Sequence, residues 1–396
     1  MTAVITSTPH TDSAAAFVPD QSRAERLTSY DVSAFPVPSG REEDWRFTPV
    51  DRVGALFQVE PTDPARVSYE VQAPEGVRLE RFGVVPATGI AGRPADRAAA
   101  AAWAGGDDVH VLTLPPDTEL TQPVRLSVTG RDRGRINGHL VVDAGRHSRA
   151  TVVLSHRGSA ECGSNVEIRV GDGAELTFVT LQEWDADAVH LAQNDALVGR
   201  DAKLTHITVT LGGEVVRVST NVRYSGPGGS AECLGVYFAD AGQHQEHRLF
   251  VDHEQPQCTS NVEYKGALQG DTAHTVWVGD VLIRASAEGT STYELNRNLI
   301  LTDGARADSV PNLEIETGEI VGAGHASATG RFDDEQLFYL QSRGIPEQEA
   351  RRLVVRGFFA SIVGRITVPE VVEHLMAAID AELSLSMDAT DEAVPA

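Results

Sequence analysis

The feature that most constrains this chain is a long central stretch in which apolar and polar residues alternate. From Asp107 to about Thr329 the alternation has a period of two residues, and Gly-Asp, Asp-Gly and Asp-Ala turns interrupt it. Alternation bounded by such turns is typical of short β-strands. More than 200 residues of strand are too many for one small β-sandwich, so the stretch predicts a larger β architecture. Clear examples are Val109–Leu114, Val124–Val128, Val166–Val170 and Leu204–Leu211.

A weak internal repeat favours one such architecture. Similar turn phrases place alanines at Ala150, Ala174, Ala202, Ala231 and Ala273, which are 24, 28, 29 and 42 residues apart. These spacings are near the length of a solenoid coil with irregular loops, and a coil needs a stacked neighbour to bury its apolar face. A parallel β-helix is therefore the preferred interpretation. An antiparallel sandwich with a common turn chemistry is the alternative on periodicity alone.

The two flanks differ from this β core. Residues 1–21 lack periodic apolar spacing and are expected to form a disordered lead-in, followed by a helical and mixed region at 22–106. The β core spans 107–329. Residues 330–383 show helical periodicity, with Asp333 as an expected N-cap and a capping box at Thr367, and 384–396 are expected to be a flexible tail.

Charge and motif content narrow the classes of function. The net charge of −24 disfavours binding to nucleic acid or to an anionic membrane, and three cysteines cannot form a disulfide framework. We find no secretory signal and no membrane-length apolar run, so we expect a soluble cytoplasmic protein. The chain has no phosphate-binding loop, His-Glu-x-x-His, Cys-x-x-Cys or Gly-x-Ser-x-Gly motif, which predicts that it binds no nucleotide itself and is not an enzyme.

Four side chains are candidates for holding a metal. His247 and His253 fall on one face of an expected strand, and Cys258 follows five residues later. The plain alternative is that they are hydrogen-bonded side chains in a solenoid wall. His325 lies among small residues where the β region meets the helices, and it is either an accessible ligand or a residue that closes the end of the solenoid.

At this junction the segment His325–Gly330 and the run Phe338-Tyr-Leu-Gln-Ser-Arg-Gly344 stand close together. In these segments the sequence resembles the SufB/SufD family, the scaffold subunits of the SUF iron–sulfur cluster assembly system. The similarity covers about Arg41 to Ile366, and its short length and N-terminal tryptophan element favour the SufD branch. The most specific run is Phe338-Tyr-Leu-Gln-Ser-Arg-Gly344. The other matching segments are Glu43–Thr48, Gln122–Val124, Val251–Gly266, Asn296–Ile300, Pro311–Ile315 and His325–Gly330.

The resemblance implies a right-handed parallel β-helix between a helical N-terminal region and a C-terminal helical domain. It also implies a non-enzymatic scaffold that pairs with a SufB-like subunit through the β-helix and docks a SufC-like ATPase on the C-terminal helices. A homodimer in isolation is possible under this hypothesis. The residues expected to contact partners are Phe338, Tyr339, Arg343, Gly344, Phe358 and Phe359.

The family also implies a role for His325, which matches a histidine proposed to help hold a transient iron–sulfur cluster at the interface with SufB. Relatives often have Cys-Ser-His here, whereas this chain has Ala323-Gly-His325. Because thiolates normally carry such clusters, we expect this chain to supply an imidazole and its partner the sulfur. The alternatives are an exported-type β-helix carbohydrate-acting enzyme, for which the export signal is missing, and a standalone metal-binding protein.

Overall fold

The computed structural model describes residues 25–82, 88–332, 334–366 and 368–391. The expected lead-in at 1–21 and the expected caps Asp333 and Thr367 lie outside these residues. The chain is mainly β, a parallel β-solenoid of about 8 turns with a few helices at each end, which confirms the predicted fold class. None of the helices in the described segments is both long enough and apolar enough to span a membrane.

The N-terminal region consists of short elements that precede the solenoid. Its helices are α1 (Val50–Val53) and α2 (Arg97–Gly105), its strands are β1 (Val67–Gln72) and β2 (Arg78–Phe82), and three 3₁₀ turns cover Val32–Ala34, Gly54–Phe57 and Pro64–Arg66. Asp96 caps α2, because its side chain accepts a hydrogen bond from Ala99 N at 2.8 Å.

Fourteen further strands form the solenoid within the described residues. They are β3 (Val109–Leu114), β4 (Val124–Ala144), β5 (Arg149–Val170), β6 (Glu175–Trp184), β7 (Val189–Val198), β8 (Lys203–Thr210), β9 (Val215–Tyr224), β10 (Ser230–Ala239), β11 (His244–His253), β12 (Thr259–Leu268), β13 (His274–Ile283), β14 (Ser291–Ile300), β15 (Arg306–Ile315) and β16 (Gly322–Arg331).

These strands stack in two parallel walls. Wall A contains the first halves of β4 and β5, then β6, β8, β10, β12, β14 and β16; wall B contains β3, the second halves of β4 and β5, then β7, β9, β11, β13 and β15. The long strands β4 and β5 bend from one wall into the other. Every pairing from β3 onward is parallel, and only β1 with β4 and β2 with β3 are antiparallel. The antiparallel sandwich is therefore excluded.

The strand register corrects one part of the predicted repeat. Ala231 pairs with Ser260, 29 positions further along the chain, so the coil length near this point matches the first three alanine spacings. Ala273 instead precedes β13 on wall B. The spacing of 42 residues therefore joins two different walls and is not a coil.

Both faces of the middle strands are buried, and this is why strands such as β7 and β11 are buried along almost their whole length. Inside the solenoid, side chains such as Leu176, Phe178 and Val222 form one continuous core. The outer face of wall B packs on Trp45, Phe57 and their neighbours from the N-terminal region. Strands buried on both faces show little alternation.

Three C-terminal helices complete the chain and cover the outer face of wall A. They are α3 (Asp334–Ser342), α4 (Glu347–Val363) and α5 (Pro369–Asp391). Residues of α4 and α5 form one apolar cluster with outward-facing residues of wall A such as Ile207 and Leu234. Helix α5 continues to Asp391, so the first eight residues of the expected tail at 384–396 are helical, and 392–396 lie outside the described residues.

Candidate functional site

Strands β15 and β16 are the last strands of the two walls within the described residues. Together they form the C-terminal end of the solenoid. We call it the open end. Gly322 N donates to Thr290 O and Phe332 N to Ile300 O, so even-numbered residues of β16 bond to β14. In a parallel strand the N–H and C=O groups of successive residues point to opposite sides. The odd-numbered residues of β16 therefore present both groups to the free edge.

The same pattern holds on wall B, with one interruption. Arg306 N donates to Ala273 O and Glu316 N to Ile283 O, so odd-numbered residues of β15 face the free edge. Pro311 is one of them, and it has no N–H to offer. A proline whose nitrogen faces outward is tolerated in an edge strand because no ladder bond is lost.

His325 lies on β16 at the open end, in register with Glu294 of β14. Paired residues of a parallel ladder point to the same face, and Glu294, at 1% exposure, points into the solenoid. Ala323, two residues before His325, packs against the interior core. The imidazole of His325 therefore stands over the mouth of the interior, and it is exposed because no further coil of the described residues covers it.

Glu294 was not singled out by the sequence, yet it is the most unusual group near His325. Neither carboxyl oxygen has a hydrogen-bond partner among the described residues. Burial, with a smaller contribution from Asp280, raises the pKa of Glu294 to about 8. A Cβ built on Gly279 would lie 2.7 Å from Glu294 Oε1 and 2.5 Å from Trp277 Cη2, so the carboxyl reaches across the interior to wall B.

Polar side chains surround this position inside the last coils. Asn296 Nδ2 donates to the Tyr237 hydroxyl at 2.8 Å, and Ser309 Oγ donates to Asn296 Oδ1 at 2.7 Å. Asn298 Nδ2 donates to Thr329 Oγ1 at 3.2 Å. The earlier coils combine Leu, Val and Phe with buried polar pairs such as His190 with Gln182 and His206 with Thr208. Polar side chains therefore occur at several levels of the interior, and those of the last coils surround the open end.

The structure does not bring His247, His253 and Cys258 to one point. His247 Nε2 lies 2.9 Å from Thr210 Oγ1, and His253 Nε2 lies 2.9 Å from Ser260 Oγ. The two imidazoles are six residues apart on β11, which corresponds to about 20 Å, so one ion cannot contact both.

These three side chains belong to the interior packing. The ring of His247 stacks on Tyr237 at 4.8 Å and that of His253 on Tyr224 at 4.9 Å, while the buried Cys258 thiol faces the Gly226 carbonyl. Burial lowers the pKa of His247 to about 3 and that of His253 to about 4. Within the described part of the chain, no three His, Cys, Asp or Glu side chains gather around a possible metal position.

The helical residues predicted to contact partners fall into two groups. Phe338 and Tyr339 on α3 are 71% and 57% exposed, and the Arg343 guanidinium lies 5.1 Å from the Tyr339 ring centroid. Gly344 ends this segment with φ of +85°, a left-handed conformation that favours glycine after a helix. Phe338, Tyr339, Arg343 and Gly344 define a surface that we call the α3 patch.

Phe358 and Phe359 belong to the second group and face wall A. Phe359 is completely buried in the cluster between the helices and wall A, so it is part of the core and not of a partner surface. Phe358 is half-buried, with Lys265 Nζ 5.3 Å from its ring centroid. Lys265 also donates to Phe358 O at 2.9 Å and Ser361 Oγ at 2.8 Å, which fixes α4 to the wall.

The N-terminal tryptophan element has a structural role on wall B. The Arg217 guanidinium lies 3.7 Å from the Trp45 ring centroid, and Thr48 Oγ1 donates to Glu246 Oε2 at 2.7 Å. Glu246 is completely buried and also pairs with Arg217 at 3.6 Å and Arg248 at 3.3 Å. This element therefore anchors the N-terminal region to the solenoid through one buried cluster of charges.

Comparison with known proteins is consistent with this architecture. The family described as SUF system FeS cluster assembly, SufBD core domain, matches residues 127–358, more than half of the chain. The chain belongs to this family, which is involved in iron–sulfur cluster assembly, and the predicted SufB/SufD resemblance is confirmed.

Individual relatives agree with the family assignment. Iron–sulfur cluster assembly SufBD family proteins of Mycobacterium leprae and Mycobacterium tuberculosis are each 55% identical to this chain, over 368 and 373 residues. These matches cover 91% and 92% of this chain and 94% of each relative. The iron–sulfur cluster assembly protein SufD of Escherichia coli is 28% identical over 221 residues, which cover 56% of this chain and 52% of that protein.

Proposed function

We propose that this chain is a non-catalytic scaffold subunit of a SufBCD-type complex. It pairs with a SufB-like subunit through the open end of the solenoid, and the transient iron–sulfur cluster is the cargo assembled at that interface. The observation that carries the proposal is the position of His325, which stands at the mouth of the interior on a strand whose outer edge is free to pair. An imidazole there is within reach of both subunits.

The role of His325 in this proposal is that of a cluster ligand contributed from one side only. Imidazole nitrogen is a common ligand for iron, and it replaces thiolate on some cluster irons. Among the described residues the three cysteines are all buried within the fold, and none of them lies on β15 or β16. The thiolates that hold the cluster are therefore expected to come from the partner.

The experiment that tests this role is anaerobic cluster assembly with a SufB-like subunit and a SufC-like ATPase. His325→Ala is expected to abolish most of the visible absorption of the assembled cluster while the three subunits still purify together. The control is His147→Ala, because His147 is an exposed imidazole in the turn before β5, at the other end of the solenoid. Unchanged cluster formation in the His325 variant would remove this residue from the mechanism.

We propose the α3 patch as the docking surface for the SufC-like ATPase. Phe338 and Tyr339 are large side chains that the fold leaves mostly exposed, and aromatic residues with arginine are enriched at protein interfaces. In this proposal the ATPase supplies the nucleotide chemistry, for which this chain has no phosphate-binding loop.

A double substitution of Phe338 and Tyr339 by serine tests the docking surface. We expect loss of co-purification with the ATPase and retained pairing with the SufB-like subunit, since the α3 patch and the open end are separate surfaces. Leu27→Ser is the matched control, because Leu27 is 54% exposed in the N-terminal region. Full recovery of the ATPase with the double variant would count against docking there.

A further inference from the structure

The Glu294 carboxyl lies buried and without a partner directly beneath His325. It is 1% exposed, and neither oxygen accepts or donates a hydrogen bond among the described residues. It lies near the Trp277 ring and the backbone of Gly279, and the charged group that acts on its pKa is the acidic Asp280. A buried ionised carboxyl without compensation costs several kcal/mol, so this carboxyl keeps its proton until a cation takes the place of that proton.

We propose that Glu294 and His325 form an iron-receiving half-site, in which a carboxylate oxygen and an imidazole nitrogen bind one divalent cation such as ferrous iron. The SufB-like partner then completes the coordination when it covers the open end. This inference rests on the proposed function, because it takes the open end to be the interface at which the cluster is assembled.

The geometry of adjacent coils suits two ligands to one ion. His325 and Glu294 are direct partners in a parallel ladder, where neighbouring strands are about 4.8 Å apart and paired side chains share a face. Two ligand atoms each about 2.1 Å from a metal lie roughly 3 Å apart, and the Glu294 side chain would reach this separation by rotating from wall B towards the mouth of the interior. The mouth of the interior gives the ion its path of entry.

The ligand types indicate a single iron ion more than a finished cluster. Imidazole and carboxylate are preferred by ferrous iron, whereas clusters are normally held by thiolates. The position two residues before His325 is Ala323, so this strand offers no sulfur next to the imidazole. The half-site therefore fits a step in which iron is bound before sulfide joins it.

The opposite arrangement would be a basic side chain of the partner that neutralises Glu294. The structure favours the metal because a second ligand, His325, stands in register with the carboxyl and is exposed. The test below separates the two, since a basic side chain affects assembly of the complex but not binding of a metal by this chain alone.

The test is an anaerobic titration of the full purified chain with Co(II), whose visible absorption reports nitrogen and oxygen ligands, followed by competition with Fe(II). We expect one saturable site, and a dissociation constant raised at least about tenfold by Glu294→Gln and by His325→Ala. The control is Glu319→Gln, which removes an exposed carboxylate near the open end and should bind as the wild type does. Glu294→Asp keeps the charge but shortens the reach, and it should fall between wild type and Glu294→Gln.

Three results would overturn the inference. They are the lack of any saturable cobalt site in the wild-type chain, cobalt binding by Glu294→Gln equal to that of the wild type, and cobalt binding by His325→Ala equal to that of the wild type. Poor pairing of a Glu294→Gln chain that binds cobalt normally would indicate a basic partner side chain instead. In each case the proposed function is judged separately, by cluster assembly with His325→Ala. Thermal unfolding of each variant shows that a loss of cobalt binding is not a loss of fold.

Discussion

Two prolines placed one residue apart on β16 are expected to separate the folding of this chain from its assembly. The N–H of Ala328 lies on the side of β16 that bonds to β14, where it faces the carbonyl of Asn296. The N–H of Ser327 points to the free edge instead. Ser327→Pro therefore removes a donor that the isolated chain does not use, and Ala328→Pro removes one that it does.

The expected magnitudes follow from one ladder bond. Losing it and leaving the Asn296 carbonyl unpaired should lower the free energy of unfolding of Ala328→Pro by about 2 kcal/mol. Ser327→Pro should change that free energy by less than about 0.5 kcal/mol. In the complex, however, its ring faces the approaching strand and one interchain bond is lost. We expect the dissociation constant from the SufB-like subunit to rise at least tenfold, or about 1.4 kcal/mol.

Urea unfolding followed by circular dichroism measures the first quantity, and sedimentation or a surface-binding assay with the partner measures the second. Ser327→Ala controls for the lost hydroxyl, since it keeps the backbone donor. The reasoning is refuted if Ser327→Pro destabilises the isolated chain as much as Ala328→Pro does. It is also refuted if Ser327→Pro pairs with the partner as tightly as the wild type.

Three further predictions concern groups that hold the fold together. Glu246→Gln removes the negative charge that compensates the buried Arg217 and Arg248. The free energy of unfolding measured in urea at pH 7 should therefore fall by about 3–5 kcal/mol. A decrease below about 1 kcal/mol would contradict the buried cluster of charges. Burial lowers the pKa of His206 to about 4, so this residue favours the folded state fully above pH 6.5 and loses that contribution as the pH falls towards 4. Between pH 7 and pH 4 the free energy of unfolding of His206→Gln should therefore rise by about 3 kcal/mol relative to that of the wild type. Parallel pH profiles of the two free energies would show that the imidazole is not buried. Lys265→Met removes two bonds to α4, which should cost about 2 kcal/mol and speed hydrogen exchange in α4 and α5 but not in wall B.

The central fold could be predicted because similar turn residues recur at the spacing of one coil. The phrases around Ala174 and Ala202 stand at successive corners of the solenoid, and their spacing is one coil. The similar turn at Ala273 gave a wrong coil spacing because the turns before strands of both walls contain the same residue types. The alternation itself was a weaker guide, since all ten residues of β11 are buried and both of its faces are covered.

The helical ends were predictable to a different degree. The apolar stripe Val355, Phe359 and Ile362 marked the buried face of α4, and all three are fully buried. The same stripe could not show which surface it packs against. Phe359 was therefore predicted to contact a partner, whereas its side chain packs against wall A. A helical period identifies an apolar face but not the surface that covers it.

The candidate site could be predicted only in part. His325 was found from its small neighbours and from the family resemblance, and the register then placed it on the inner face. Glu294 was missed, although Thr292, Glu294, Asn296 and Asn298 form a polar series at every second residue. When both faces of a strand are covered, the sequence does not show which face points into the solenoid. Only the geometry of the coils shows that this polar series points inward.

The open end is built as a surface for assembly. Edge strands that must stay unpaired in water carry prolines, charges or bulges, and Pro311 is one such device on β15. Strand β16, by contrast, has glycine, alanine, serine and threonine around His325 and no charged residue before Arg331. Small side chains let another backbone approach closely, and the polar interior around Asn296 tolerates water until it does. An end that is pairable at its edge, polar inside and fitted with a carboxyl beneath an imidazole is incomplete by itself, and a second subunit that covers it would satisfy all three features at once.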